Sequence, residues 1–101
     1  MDESTVVLRL QIRGTVQGVG YRWAMAQAAR RLGVAGWVRN RRDGSVEAVF
    51  AGPAADVTQM IADCRRGPTL ARVDGIEDQP ETMDALGLRP SGTRFAFLPT
   101  L

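Results

Sequence analysis

Histidine and lysine are both missing from this chain: the histidine count is zero, and all 13 basic residues are arginine. Their absence excludes Schiff-base chemistry, general-base catalysis by histidine, the lysine of a P-loop and most zinc sites. The single cysteine, Cys64, excludes an internal disulfide and is typical of a reducing compartment. Any chemistry must therefore use arginine, carboxylate, amide or main-chain groups.

Long apolar runs are missing as well. No stretch approaches the roughly 20 consecutive apolar residues of a membrane span. The acidic start, MDEST, lacks the basic and apolar parts of a signal peptide. We therefore expect a cytoplasmic protein that does not act at a membrane.

Length and composition indicate one small globular domain. The chain has 101 residues, of which 45% are hydrophobic and 24% charged. We expect a single domain over 1–101, with residues 1–4 disordered, and a monomer as the simplest assembly. The net charge of +2 is too small to indicate a nucleic-acid partner.

The apolar pattern predicts an alternation of strands and helices. Strict alternation marks a strand with one buried face, and spacings of three and four residues mark helices. Asp43-Gly44 is a strong hairpin signal. The predicted elements are a strand at 6–13, a helix from Tyr21 to Leu32 ended by Gly33, strands at 34–40 and 45–51, a helix beginning at Pro53, a strand at 70–78 bulged near Gly75, and a short strand around Phe95 and Phe97.

This order, β-α-β-β-α-β with a closing strand, predicts the ferredoxin-like split βαβ fold of the α+β class. In that fold two helices cover one face of an antiparallel sheet. Cys64 shares the apolar face of the second helix with Val57 and Met60, so we expect it to be a small buried thiol and not a nucleophile.

The stretch GTVQGVGYR, residues 14–22, joins the first strand to the first helix. It is not a Walker A loop, because no lysine follows Gly20, and it lacks the third glycine of the Rossmann fingerprint. A glycine loop that opens a helix can instead direct its main-chain N–H groups at an anion, and Arg22 adds a guanidinium suited to phosphate. A plain tight turn with a solvated Arg22 is the alternative from spacing alone.

Two further motifs follow the loop, and in combination with it they form a specific pattern. The loop is followed by LGVAGWVRN and DGSVEAVFAG, and together these stretches closely resemble the acylphosphatase family over about residues 5–78. The resemblance implies hydrolysis of small acyl phosphates to a carboxylate and inorganic phosphate, with no metal and no cofactor. Tyr21 stands where phenylalanine is common in the family. The sequence does not identify the natural acyl phosphate.

The resemblance also implies the roles of individual residues. Arg22 binds the phosphate, and Asn40 orients the attacking water. The main-chain amides of the loop cradle the phosphate, which gives the predicted phosphate-binding set Thr15, Val16, Gln17, Gly18, Val19, Gly20, Tyr21 and Arg22.

Two other functions are weighed against the enzyme. A domain of this type could bind a phosphate-bearing ligand without turnover, or the fold could serve as a nucleic-acid or protein interaction module. The outward positions of the third strand, Ser45, Glu47 and Val49, offer no aromatic platform for RNA.

Several other side chains have open assignments. For the basic cluster Arg39, Arg41 and Arg42 a solvated hairpin tip is favoured over a site that attracts anions. Trp23 could contact the acyl group of the substrate or pack at the surface. Trp37 could be packed or partly exposed.

Overall fold

The computed structural model describes residues 5–101, so the prediction of disorder for residues 1–4 lies outside them. No helix in this range is long and apolar enough to cross a membrane. The elements are β1 (Thr5–Thr15), α1 (Tyr21–Leu32), β2 (Ala35–Asn40), β3 (Val46–Pro53), α2 (Ala54–Arg66), β4 (Arg72–Pro80), a 3₁₀ helix (Met83–Leu88) and β5 (Phe95–Phe97). The strand order in the sheet is β4-β1-β3-β2-β5. The predicted order of elements is confirmed, and the 3₁₀ helix is an addition.

The main core lies between the two helices and one face of the sheet. Leu10 of β1, Phe50 of β3 and Val38 of β2 point to this face and are fully buried. α1 and α2 complete this core with residues such as Met25 and Cys64. Cys64 is fully buried, which confirms the prediction of a small buried thiol, and this burial raises its pKa to about 12.

The predicted bulge near Gly75 is present. The pairing of β1 with β4 steps from Arg13–Gly75 to Gly14–Val73, so Asp74 has no opposite residue. The backbone of Gly14 has φ of +133°, and a Cβ there would lie 2.1 Å from the carbonyl oxygen of Arg72. Only glycine fits this position, where the bulged strand β4 comes close to the end of β1.

β5 differs from the prediction because it pairs in parallel with β2, which makes the sheet mixed and not purely antiparallel. To reach that edge, the chain crosses the second sheet face through the 3₁₀ helix. Trp37 is fully buried on this face, and its Nε1 donates to the Ala85 carbonyl at 2.7 Å. The second face therefore has its own small core, formed by Val7, Trp37, Val49, Ala51, Leu86, Ala96 and Leu98.

The basic cluster is arranged differently from a solvated tip. Arg39 and Arg41 donate to the same carboxylate oxygen of Glu47, at 2.8 and 3.0 Å, and Arg9 donates to the other oxygen. The Arg39 guanidinium also lies 4.7 Å from the ring centre of Trp37. The prediction of a solvated hairpin tip is wrong for Arg39, whose side chain is only 12% exposed, and for Arg41, which is ion-paired. It is confirmed for Arg42, which is exposed.

Glu47 carries the electrostatics of this cluster. Its burial acts to raise the carboxyl pKa, but the hydrogen bonds and charges of the arginines outweigh that effect, so the pKa lies below its ordinary value. The folded state therefore binds fewer protons at this carboxyl than the unfolded state, and the resulting stability is present above the unfolded pKa. It is lost as the pH falls through the folded pKa.

We expect Glu47→Gln to lower the free energy of unfolding at pH 7 by about 2 kcal/mol or more, because three arginines lose their shared anion. Urea unfolding followed by circular dichroism between pH 7 and pH 2.5 measures this. The variant should also lose less stability on acidification than the wild type. Glu77→Gln is the matched control: its pair with Arg13 is largely exposed, so a change below about 0.5 kcal/mol is expected. Equal losses in the two variants would contradict the assignment.

Candidate active site

The loop at residues 16–20 presents main-chain donors without acceptors. Gly18 and Gly20 have φ of +75° and +80°, the left-handed conformation that anion-binding turns use to direct successive N–H groups at one ligand. Within residues 5–101, the N–H groups of 16–20 donate to no main-chain or side-chain acceptor. Gly20 caps α1 without a side-chain hydrogen bond, and no acidic residue lies in the first turn. This end of α1 is therefore open to an anion.

Arg22 is the second residue of α1 and is half-buried beside the loop. Other arginines, such as Arg9 and Arg72, are ion-paired, whereas Arg22 has no ion pair with any residue in 5–101. Its guanidinium is therefore available to a ligand. A pocket of about 320 Å³ opens at this point, and its lining residues are Val16, Gly18, Gly20, Tyr21, Arg22, Trp23 and Phe97.

The side chain of Gln17 fixes the loop to the β2–β3 hairpin. Its Nε2 donates to the carbonyl oxygen of Arg41 at 2.7 Å and to that of Ser45 at 2.8 Å. Asn40 and Val46 form the last residue pair of the two strands, and Arg41 and Ser45 are the residues immediately beyond it. The two hydrogen bonds therefore hold the loop at residues 16–20 at the end of the sheet where Asn40 lies.

Asn40 ends β2 on the face that the helices cover, the same face as Val38. Its Oδ1 is buried and is the one such side-chain atom in residues 5–101 without a hydrogen-bond partner. Its carbonyl oxygen accepts from the N–H of Leu101 at 3.1 Å. An unpaired buried acceptor costs about 1–3 kcal/mol, and such atoms are typical of functional positions. Asn40 does not line the 320 Å³ pocket itself.

Thr15, Val16 and Tyr21 also belong to the predicted set, in which their main-chain groups are expected to bind the phosphate. Thr15 is the last residue of β1 and pairs with Arg72 of β4. The side chains of Val16 and Tyr21 are buried in the core. The Tyr21 hydroxyl donates to the carbonyl oxygen of Cys64 at 2.8 Å, and burial raises the Tyr21 pKa. Neither side chain is positioned to contact a phosphate.

Two features of the site were not predicted. Gln17 was assigned through its amide N–H, and no pattern in the sequence indicates that its side chain reaches the hairpin. Phe97 was predicted only as part of a strand, although its alternation with Phe95 places both side chains on one face. Its position beside Arg22 follows from the parallel pairing of β5 with β2.

Other parts of the surface are less suited to binding an anion than the loop and Arg22. A larger pocket, of about 690 Å³, is lined by residues such as Thr5, Met83 and Pro90 and contains no predicted site residue. It is a shallow groove, and its arginines Arg89 and Arg94 are bonded to carbonyl oxygens. In residues 5–101, no three Asp, Glu or Cys side chains are grouped as metal ligands would be. The loop and Arg22 remain the best candidate site.

Comparisons with known proteins identify the family of this chain. The sequence model of the acylphosphatase family matches residues 8–86. An acylphosphatase of Nitrobacter hamburgensis is 59% identical over the full length of both chains, and one of Rhodopseudomonas palustris is 57% identical over 97% of this chain and 99% of its own. The crystal structure of the acylphosphatase from Bacillus subtilis superposes with a TM-score of 0.79, at 29% identity, over 92% of this chain and 98% of that one. The chain therefore belongs to the acylphosphatase family of hydrolases, as its sequence motifs predicted.

Proposed function

We propose that this chain hydrolyses the carboxyl–phosphate bond of small acyl phosphates without a metal, with the phosphate held by the 15–21 loop and Arg22 and the attacking water oriented by Asn40. The family membership supports the reaction class. The observation that carries the division of roles is the buried, unpartnered Oδ1 of Asn40 at the same end of the sheet as the loop.

The loop and Arg22 supply positive charge for the phosphate. The open N–H groups of 16–20 and the first turn of α1 are donors that need no rearrangement before a phosphate binds. Arg22 adds a planar fork that can bond two phosphate oxygens at once. Phosphoryl transfer needs mainly positioning and charge stabilisation of the equatorial oxygens, and these groups provide the second.

Asn40 provides the positioning. An amide oxygen accepts a hydrogen bond from water, which fixes one O–H and directs a lone pair of the water oxygen elsewhere. In the proposed reaction this oxygen attacks phosphorus, and the bond between phosphorus and the acyl oxygen breaks. The carboxylate leaves with the bonding electrons, and the proton of the water passes to a phosphate oxygen. A carboxylate has a pKa of about 4, so it needs no general acid to leave, and the missing histidine is no obstacle.

Hydrolysis of benzoyl phosphate, followed by absorbance with EDTA present, tests this function. We expect turnover by the wild type in EDTA and a fall in kcat/KM of about 100-fold or more in Arg22→Ala, equivalent to about 3 kcal/mol. Arg30→Ala is the matched control, because Arg30 is an exposed arginine of the same helix without an ion pair in residues 5–101. Absent wild-type turnover, with phosphate binding that depends on Arg22, would favour a domain that binds a phosphate without cleaving it.

Asn40→Ala separates positioning from phosphate binding. We expect kcat to fall about 100-fold while the inhibition constant of inorganic phosphate changes less than about threefold. The free energy of unfolding should stay equal or rise by about 1 kcal/mol, because the variant removes a buried acceptor that has no partner. Normal turnover, or a loss of activity that follows a loss of stability, would refute the assignment of Asn40.

We propose that the Gln17 side chain fixes the position of the loop relative to Asn40. Gln17→Ala removes two hydrogen bonds, and we expect kcat/KM to fall about tenfold or more. Gln17→Glu should be no better, since a carboxylate cannot donate and would face two carbonyl oxygens. Gln27→Ala, a half-buried glutamine of α1, is the control and should keep wild-type kinetics. If Gln17→Ala also kept them, the anchor would have no role in the reaction.

A further inference from the structure

The aromatic residues of the chain are divided sharply by exposure. Four of the six are at most 5% exposed, namely Tyr21, Trp37, Phe50 and Phe95. The other two, Trp23 and Phe97, are 63% and 45% exposed. These two come from different elements, α1 and β5, and both line the pocket that contains Arg22. Large exposed aromatic side chains that meet at one pocket are typical of a binding surface.

We propose that Trp23 and Phe97 form an acyl-group subsite that selects acyl phosphates with an aromatic or similarly bulky apolar acyl group. The proposal names the substrate class of the site described above and rests on the proposed function. It concerns the part of the substrate that the phosphate loop does not contact.

The positions of the two rings suit this role. Trp23 directly follows Arg22 in the first turn of α1, and Phe97 pairs with Val38, two residues before Asn40. A phosphate held by the loop and Arg22 therefore lies in the same pocket as the two rings. The acyl group of a bound substrate must extend from the phosphate, and these rings are the apolar surface next to it.

The chemistry of the lining decides between acyl groups. Apart from Arg22, the lining side chains are apolar, and the hydroxyl of Tyr21 is already bonded to a carbonyl oxygen. Beyond the groups assigned to the phosphate, the lining side chains offer a carbamoyl or aspartyl group no hydrogen-bond partner. An apolar ring gains from contact with Trp23 and Phe97 in proportion to the area that it buries. An acetyl group is too small to touch both rings.

The test compares benzoyl phosphate with acetyl phosphate in the wild type, Trp23→Ala, Phe97→Ala and the double variant. The intrinsic reactivities of the two leaving carboxylates are the same for every variant, so a change in the benzoyl-to-acetyl ratio of kcat/KM between wild type and variant reports contacts of the acyl group. We expect the wild type to prefer benzoyl phosphate about tenfold or more. Each single variant should lower kcat/KM for benzoyl phosphate about five- to tenfold and for acetyl phosphate less than about threefold.

Leu70→Ala is the matched control, because Leu70 is 75% exposed and lies outside this pocket; both substrates should keep wild-type kinetics. An unchanged benzoyl-to-acetyl ratio in the double variant would overturn the subsite. It would leave the two aromatics as surface for contact with another macromolecule.

Binding of non-hydrolysable analogues separates this proposal from the proposed function. Calorimetry with benzoylphosphonate and acetylphosphonate measures the subsite even if the wild type hydrolyses neither acyl phosphate. We expect benzoylphosphonate to bind the wild type about tenfold more tightly than acetylphosphonate, and the double variant to lose that difference. Equal affinities for the two analogues in the wild type would refute the subsite, whereas absent hydrolysis with unequal affinities would refute only the catalytic function.

Discussion

The Gln17 amide resolves a conflict that any anion-binding loop faces. A loop is normally fixed by hydrogen bonds of its own main chain, but an anion site needs the same N–H groups to stay free. Here the side chain of Gln17 makes both anchoring bonds, to the carbonyl oxygens of Arg41 and Ser45, and the N–H groups of 16–20 remain without acceptors in residues 5–101. The bonds also tie the loop to the hairpin next to Asn40, so the position of one group determines that of the other.

Ion pairing likewise distinguishes Arg22 from the arginines of the hairpin region. Glu47 gathers three guanidinium groups on the second face of the sheet, where Arg39 also lies against the ring of Trp37. Glu47, together with Glu81 on Arg9, offsets two of these three positive charges. Arg22 is on the helix-covered side without such a partner, and the described acidic residues are engaged elsewhere or absent from its pocket. The unpaired cation therefore stands beside the open end of α1, where both attract the same kind of ligand.

Local patterns predicted what local physics determines. Alternation located β1, helical spacing located α1, and Asp43-Gly44 located the hairpin, because each depends on residues that are neighbours in sequence. The parallel pairing of β5 and the burial of Trp37 depend on how the connection after β4 crosses the second face. That path involves contacts such as the one from Trp37 to Ala85, 48 residues apart, and no short pattern encodes them. The assignments of Arg22 and Asn40 came from the resemblance, whereas the side-chain role of Gln17 and the place of Phe97 required the fold.

Within residues 5–101, the unpartnered acceptor of Asn40 and the open N–H groups of 16–20 lie at the same end of the sheet. The buried acceptor of Asn40 raises the free energy of the folded state, whereas the open N–H groups of 16–20 and the exposed rings of Trp23 and Phe97 are left to solvent. Other buried polar groups of the described residues are satisfied: the Trp37 indole, the Tyr21 hydroxyl and the Glu47 carboxylate all have hydrogen-bond partners. The one buried side-chain acceptor without a partner in residues 5–101 therefore lies at the sheet end where the loop leaves its main-chain donors free. A ligand with an anionic head, a reacting centre next to a held water and an apolar tail would satisfy all three at once.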